Sequence, residues 1–112
     1  MDMKTFDHLA TSFEGVRRTS AGGLARWQYQ GRLVARELDA THVVVRVPFD
    51  VRDALLQQHP DVFSVPSRFK KHMMICADLD AGDDGAVEDA VESAWRHQAR
   101  VSADPEAELD HR

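Results

Sequence analysis

Seven basic residues are the strongest candidates for chemistry in this sequence. Four arginines fall in stretches of alternating polarity, and three more basic residues crowd a short polar segment; the seven are Arg26, Arg32, Arg36, Arg46, Arg68, Lys70 and Lys71. Guanidinium and ammonium groups bind phosphate oxygens, a major source of affinity for nucleic acids. Phe69 lies in the second group, and an aromatic ring can stack on a base. The pattern predicts an anion-binding surface, with nucleic acid as the candidate ligand.

The charge of the chain is unevenly distributed. The net charge of −5 over 112 residues argues against a dedicated nucleic-acid-binding protein. Between residues 17 and 71, however, ten basic side chains stand against five acidic ones, and between residues 81 and 112 nine acids stand against three bases. The simpler interpretation of the basic residues is a solvent-exposed sheet face that charge keeps soluble. Both interpretations are open at this point.

Other patterns with catalytic or metal-binding potential have ordinary structural explanations. Cys76 lies in an apolar run, where a buried thiol behaves as a small hydrophobic side chain. Asp83 and Asp84 resemble a catalytic carboxylate pair, but their place before an amphipathic stretch explains them as a helix cap. The six histidines show no pair at metal-ligand spacing. We expect no enzymatic activity, no metal and no cofactor.

Strands must position the arginines. The pattern of residues 24–47 predicts three short strands. The first alternates in polarity, and Gln30-Gly31 suits a tight hairpin turn between the first and the second. The third strand is rich in valine, so we expect it to be central in the sheet and covered on both faces. Residues 16–23 have the composition of a connecting loop. Two further strands are predicted at residues 62–65 and 72–79.

The spacing of three arginines predicts a shared face. Arg32 and Arg36 are separated by an even number of residues, which places both side chains on one side of a regular strand. Arg26 lies across the hairpin from them and is expected on the same side.

Three amphipathic helices are predicted to cover the sheet. Apolar residues recur at helical spacing in residues 3–14, in residues 48–59 and from residue 83 or 84 to about 101, with Asp2, Asp50 and Asp83 or Asp84 as caps. The order αβββαββα indicates an α+β domain, with an antiparallel sheet of about five strands and the helices on one face. We expect this domain to span residues 1–101, and residues 102–112 to be an acidic, disordered tail.

The cysteine content and the lack of targeting or membrane-spanning patterns predict a cytoplasmic protein, which we expect to be a monomer. A single cysteine excludes an internal disulfide and fits a reducing compartment. The first residues lack the basic and apolar regions of a signal peptide, and no apolar run approaches the ~20 residues of a membrane helix.

Five short motifs, in order, resemble the MmcQ/YjbR family. They are Gln-Gly-Arg-Leu-Val-Ala at residues 30–35, the strand and the helix within residues 43–56, His-Pro-Asp-Val-Phe at residues 59–63, and Ala-Trp-Arg at residues 94–96. The resemblance covers roughly residues 5–97 and implies a frataxin-like (CyaY-like) sheet. Members are often described as DNA-binding, so it implies DNA as a partner. The chain departs from the family pattern at Arg32, where members usually have lysine, and at residues 68–72.

We therefore predict a small non-enzymatic binding domain that holds DNA or another anionic partner on its basic sheet face and the loop at residues 67–72. A protein–protein interaction adaptor without nucleic-acid binding is the alternative, and it would use a sheet edge or the acidic last helix and tail. A pocket for a small molecule between sheet and helices is a third possibility.

Overall fold

The computed structural model describes residues 1–103 and has three helices and one six-stranded sheet. The helices are α1 (Met3–Ser12), α2 (Phe49–Gln58) and α3 (Asp84–Ala103). The strands are β1 (Val16–Ala21), β2 (Leu24–Tyr29), β3 (Arg32–Glu37), β4 (His42–Val45), β5 (Phe63–Ser64) and β6 (Ile75–Asp78). All neighbours are antiparallel, in the spatial order β1-β2-β3-β4-β6-β5. This confirms the predicted α+β class with an antiparallel sheet.

The strand count and the element order were predicted wrongly. Residues 16–21 are not a loop, because they pair with β2 along their whole length, and Gly22 and Gly23 form the turn with positive φ. The polar composition that suggested a loop belongs to an edge strand, which has one partner and one free edge. The sheet therefore has six strands rather than about five, and the order is αββββαββα.

Two of the three predicted helix caps are confirmed. Asp2 Oδ1 accepts a 2.8 Å hydrogen bond from the Thr5 amide, and Asp83 Oδ1 accepts one of 3.0 Å from the Ala86 amide. The cap of α2 was predicted wrongly: the helix follows Pro48 without a side-chain cap. Asp50 lies instead in the first turn, where its charge faces the positive end of the helix dipole.

The core lies between the helices and one face of the sheet, which we call the inner face. Trp27, at the centre of β2, has no solvent exposure and packs edge-on against Phe6 of α1, with ring centroids 4.8 Å apart. Its Nε1 donates a 2.8 Å hydrogen bond to Asp7 Oδ1. Leu55 of α2 and Val91 of α3 belong to the same contiguous cluster. The three helices therefore cover one face, as predicted.

The opposite, outer face is covered over part of its width. Val44 of β4 is fully buried although it points away from the core residues on either side of it, and its β6 partner Cys76 is 4% exposed. The segment between β5 and β6 folds over this part, with a 3-10 turn at Ser67–Phe69 that buries Phe69. The prediction of a central strand covered on both faces is confirmed for β4. On β1 to β3 the outer face combines polar residues, among them Thr19, Arg26, Gln28 and Arg36, with Leu24 and Leu33.

The last helix ends slightly later than predicted. Helix α3 continues to Ala103, two residues beyond the end predicted for it, and the remainder of the predicted tail lies outside the described residues. None of the helices in residues 1–103 combines the length and the apolar character that crossing a bilayer requires.

Candidate anion-binding surface

A row of directly paired residues crosses the outer face from the free edge of β1 to β5. Its successive members are Thr19, Arg26, Arg36, Val44, Cys76 and Ser64. Paired residues in register point to the same face, so Arg26 and Arg36 lie side by side on the outer face. Like charges directly opposite one another repel, and an anion bound between them removes that repulsion.

A third arginine joins this pair through Phe69. The guanidinium carbon of Arg36 lies 5.5 Å from the centroid of the Phe69 ring, and that of Arg68 lies 4.7 Å from it. Both distances are within cation–π range. Phe69 therefore positions two guanidinium groups on the outer face. The ring is 8% exposed, so the predicted stacking of a base on Phe69 requires that one of these groups move aside.

Strand β3 contains a β-bulge that the sequence analysis did not predict. Trp27 pairs with Ala35, but the next residue, Gln28, pairs with Leu33. Val34 is thus an extra residue on β3, and the alternation of side chains shifts by one position there.

The bulge separates Arg32 from Arg36. Val34 and Ala35 are consecutive, yet both belong to the core on the inner face. Continuing the alternation places Arg36 on the outer side and Arg32 on the inner side. The predicted shared face is therefore wrong for Arg32, because even spacing indicates one face only in a strand without a bulge.

Arg32 lies instead with Arg46 at the end of the sheet next to α3. Both line a cleft of about 310 Å³, together with His97 and Gln98 of the helix. Arg46 stands between Val45 and Val47, which both belong to the core on the inner face, so its side chain turns to the outer side although the residue lines the cleft. The seven predicted basic residues thus form more than one group: Arg26, Arg36, Arg46 and Arg68 on the outer side, Arg32 on the inner side, and two lysines in the loop.

Arg52 of α2 fixes the loop that carries these lysines. Its Nη1 donates hydrogen bonds to the carbonyl oxygens of Lys70 at 3.1 Å and of His72 at 2.9 Å. The side chains of Lys70 and Lys71 are exposed. Sequence reasoning missed this role, because the partners lie 18 and 20 positions further along the chain and no local pattern signals such a contact.

The structure also shows the surroundings of Cys76, Asp83 and Asp84, which the sequence analysis considered as catalytic candidates. Burial raises the pKa of the Cys76 thiol, and a hydrogen bond with Ser64 lowers it to a smaller extent. Asp83 caps α3, and Asp84 Oδ1 lies 3.2 Å from the N-terminal amino group. Within residues 1–103, no group of three His, Cys, Asp or Glu side chains is placed to hold a metal ion.

Comparison of the chain with protein-family models, with curated proteins and with solved structures finds no match in any of the three. The resemblance to the MmcQ/YjbR family stays a prediction from the sequence motifs.

Proposed function

We propose that this protein is a non-enzymatic domain that binds nucleic acid, with DNA as the first candidate. The proposed binding surface consists of Arg26, Arg36 and Arg68, and we call it the arginine face. Lys70 and Lys71 lie next to it, in the adjoining loop. The observation that carries the proposal is the direct opposition of Arg26 and Arg36 on the outer face. A phosphate bound between two guanidinium groups accepts hydrogen bonds from both and offsets their repulsion.

Part of the net negative charge of the chain lies away from the arginine face. Exposed acids of α3, such as Glu88 and Asp89, lie on the helix layer that covers the inner face. A nucleic acid on the arginine face is separated from them by the sheet, which packs ~10 Å from its covering layer, and by the helix. The Debye length is ~8 Å at physiological ionic strength, so this repulsion is largely screened.

The proposed setting is cytoplasmic, which the single buried cysteine fits. The arginine face lies within one chain, so the proposed active form is a monomer. The adaptor alternative would use the free edge of β1. Strand β1 carries two charged side chains, Arg17 and Arg18, and charges on an edge strand discourage its pairing with another chain. We therefore prefer the arginine face as the binding surface.

The first test is the salt dependence of binding to a fluorescently labelled 20-base-pair duplex, measured by anisotropy. Three phosphate contacts predict that the affinity falls roughly 40-fold between 50 and 200 mM salt. An affinity that does not change with salt would exclude phosphate contacts.

The second test compares two triple variants with the same change of charge. Arg26→Ala/Arg36→Ala/Arg68→Ala removes the arginine face, and Lys4→Ala/Arg96→Ala/Arg100→Ala removes three charges from α1 and α3. We expect the first variant to lose at least about tenfold in affinity and most of its salt dependence, and the second to stay close to wild type. Equal losses in both would show an effect of net charge alone and would refute the proposed surface.

A further inference from the structure

A cleft at the margin of the arginine face contains the opposed pair of arginines. Its volume is about 270 Å³, and Arg26 and Arg36 line it together with Ala21, Leu24 and Glu37. Ala21 and Leu24 are the last directly paired residues of β1 and β2. Leu24 lies two residues before Arg26 on the same strand, so both side chains are on the outer face. The cleft therefore opens on the outer face where these strands meet their turn.

The two guanidinium groups at this cleft are available to a ligand. The contact of Arg36 with Phe69 is with an aromatic ring, not with a hydrogen-bond acceptor. The Nε atom of Arg26 is buried without a hydrogen-bond partner. Among residues 1–103, neither guanidinium group forms a salt bridge or donates a hydrogen bond. The Cβ atoms of directly paired residues lie about 4.5–5.5 Å apart, so one anion can contact both groups.

One acidic side chain also lines the cleft. Glu37 follows Arg36 at the end of β3, and its Oε1 accepts a 2.9 Å hydrogen bond from the Ala25 amide. This bond holds the carboxylate in the lining, where it repels phosphate groups. A strand that continues through the cleft has a phosphate on each side of the bound one, whereas a strand that ends there has one neighbour only. The carboxylate therefore favours the end of a strand over its interior.

A phosphate at the end of a strand also suits two arginines better than a phosphate within it. A phosphomonoester carries a charge of about −1.5 to −2 at pH 7 and has three non-bridging oxygens. A phosphodiester within a strand carries a single negative charge and has two such oxygens. Guanidinium groups can each donate two parallel hydrogen bonds to oxygens of this kind. The monoester therefore gains more from an opposed pair than the diester does.

We propose that the arginine face binds nucleic acid by a terminal phosphate, which lies between Arg26 and Arg36 in this cleft. Leu24, which is 38% exposed, packs against the terminal nucleotide. The inference rests on the proposed function, because it assigns the part of the nucleic acid that the arginine face recognises. A 5′-phosphate and a 3′-phosphate share this chemistry, and the experiment separates them.

The test is a competition in which unlabelled duplexes displace the labelled 20-base-pair duplex, which has hydroxyl ends. Three competitors of the same length carry hydroxyl ends, 5′-phosphates or 3′-phosphates. A fourth, with hydroxyl ends, is two base pairs longer, which adds about as much charge as two terminal phosphates do. We expect at least one phosphorylated duplex to compete about tenfold better than the hydroxyl-ended one, and the longer duplex to show no such gain.

The outcomes separate this inference from the proposed function. Equal competition by the hydroxyl-ended and phosphorylated duplexes would overturn the terminal phosphate and leave the salt-dependent binding of the labelled duplex in place. An equal gain from the longer duplex would show an effect of charge alone and would also overturn it. A protein that binds none of the duplexes would refute both proposals.

Matched variants localise the phosphate. Arg26→Gln and Arg68→Gln each remove one charge from the arginine face, but Arg68 does not line the cleft. We expect Arg26→Gln to abolish the preference for a phosphorylated end, and Arg68→Gln to weaken the binding of all duplexes and keep that preference. The same preference in both variants would refute the cleft.

Glu37→Gln should give a gain of affinity, which a folding defect does not produce. Glutamine keeps an oxygen acceptor for the Ala25 amide and removes the negative charge. We expect this variant to bind the hydroxyl-ended duplex about threefold more tightly and to show a smaller preference for the phosphorylated one. Glu88→Gln, at an exposed position of α3, makes the same change of charge and should leave both unchanged. An unchanged affinity of Glu37→Gln would show that no phosphate approaches this carboxylate and would overturn the inference.

Discussion

Arg26 and Arg36 are direct cross-strand partners on β2 and β3, with both side chains on the outer face of the sheet. Like charges in such a pair are destabilising by roughly 0.2–1 kcal/mol. The Nε atom of Arg26 is also buried and has no hydrogen-bond partner among the described residues. We therefore expect Arg26→Thr to raise the free energy of unfolding by up to about 1 kcal/mol and to weaken DNA binding.

Urea denaturation at 20 and 500 mM NaCl measures this gain, which should be larger at low salt because charge repulsion is screened at high salt. Gln28→Thr, two residues further along the same strand, is the uncharged control. A decrease in stability for Arg26→Thr would contradict the repulsive pair.

The hydrogen bond between Trp27 and Asp7 gives a second prediction. Trp27 has no solvent exposure, and its Nε1 donates to Asp7 Oδ1 at 2.8 Å. Asp7→Ala leaves this buried donor without an acceptor, which should lower the free energy of unfolding by about 1–3 kcal/mol. Asp7→Asn retains an oxygen acceptor, so it should lower the free energy of unfolding by less than Asp7→Ala does.

The matched control for this measurement is Asp53→Ala, which removes an exposed carboxylate from α2. Surface substitutions of this kind usually change stability by less than about 0.5 kcal/mol. If Asp7→Ala costs no more than Asp53→Ala in urea denaturation, the hydrogen bond does not stabilise the link between α1 and the sheet.

Much of the fold follows from local signals. Helical spacing predicted α1, α2 and α3, and the run of valines predicted β4, because both signals come from residues close in sequence. Strand β1 was missed for a physical reason: it has one buried residue, Val16, and five exposed ones. An edge strand with so little burial has the composition of a loop, and its pairing with β2 is not visible locally.

The candidate site was predictable by residue type but not by grouping. The basic residues were identified from their charge. The separation of Arg32 from Arg36 depends on the single extra residue Val34, whose place is set by the pairing of β2 with β3. Periodicity assumes a regular strand and cannot show such an insertion. The burial of Phe69 beneath two guanidinium groups likewise depends on how the loop folds back onto the sheet.

Arg52 gives a third prediction, because it ties α2 to the loop next to the arginine face. Hydrogen bonds from a charged donor contribute about 1.5–3 kcal/mol, and Arg52 makes two to backbone carbonyls. Arg52→Ala should accelerate amide hydrogen exchange in residues 69–74 by at least tenfold. Exchange measured by mass spectrometry checks this, with Gln57→Ala on the same helix as control. Unchanged exchange in the loop would show that the loop holds its position without Arg52.

Asp39 predicts a dependence of stability on acid pH. Its Oδ1 accepts hydrogen bonds from the amides of Thr41 at 2.9 Å and His42 at 2.8 Å. The hydrogen bond from Thr41, followed by that with the His42 side chain, lowers the pKa of the Asp39 carboxyl. A lowered pKa contributes stability that is present above the unfolded pKa of about 3.9 and is lost as the pH falls through the folded value.

We therefore expect wild type to be more stable than Asp39→Ala at pH 6, with a difference that shrinks below about pH 4. Urea denaturation at pH 6, 4 and 3 checks this, and Asp61→Ala, at an exposed position, is the control. A difference that is the same at all three values would exclude the carboxylate as its source.

The buried thiol of Cys76 predicts the opposite dependence at alkaline pH. Burial raises the pKa of Cys76, so the folded state retains the proton to a higher pH than the unfolded chain does. The raised pKa of the thiol therefore contributes to the free energy of unfolding, and this contribution is fully present below the unfolded pKa of about 8.5. It decreases as the pH rises towards the folded pKa, by no more than about 1.4 kcal/mol per pH unit. The free energy of unfolding of wild type should therefore fall more between pH 7.5 and 9.5 than that of Cys76→Ala.

Urea denaturation of both proteins in the presence of a reductant measures this difference. The same pH dependence in both proteins would show that the thiol ionises equally in the folded and unfolded states, and that the loop carrying Phe69 does not shield it.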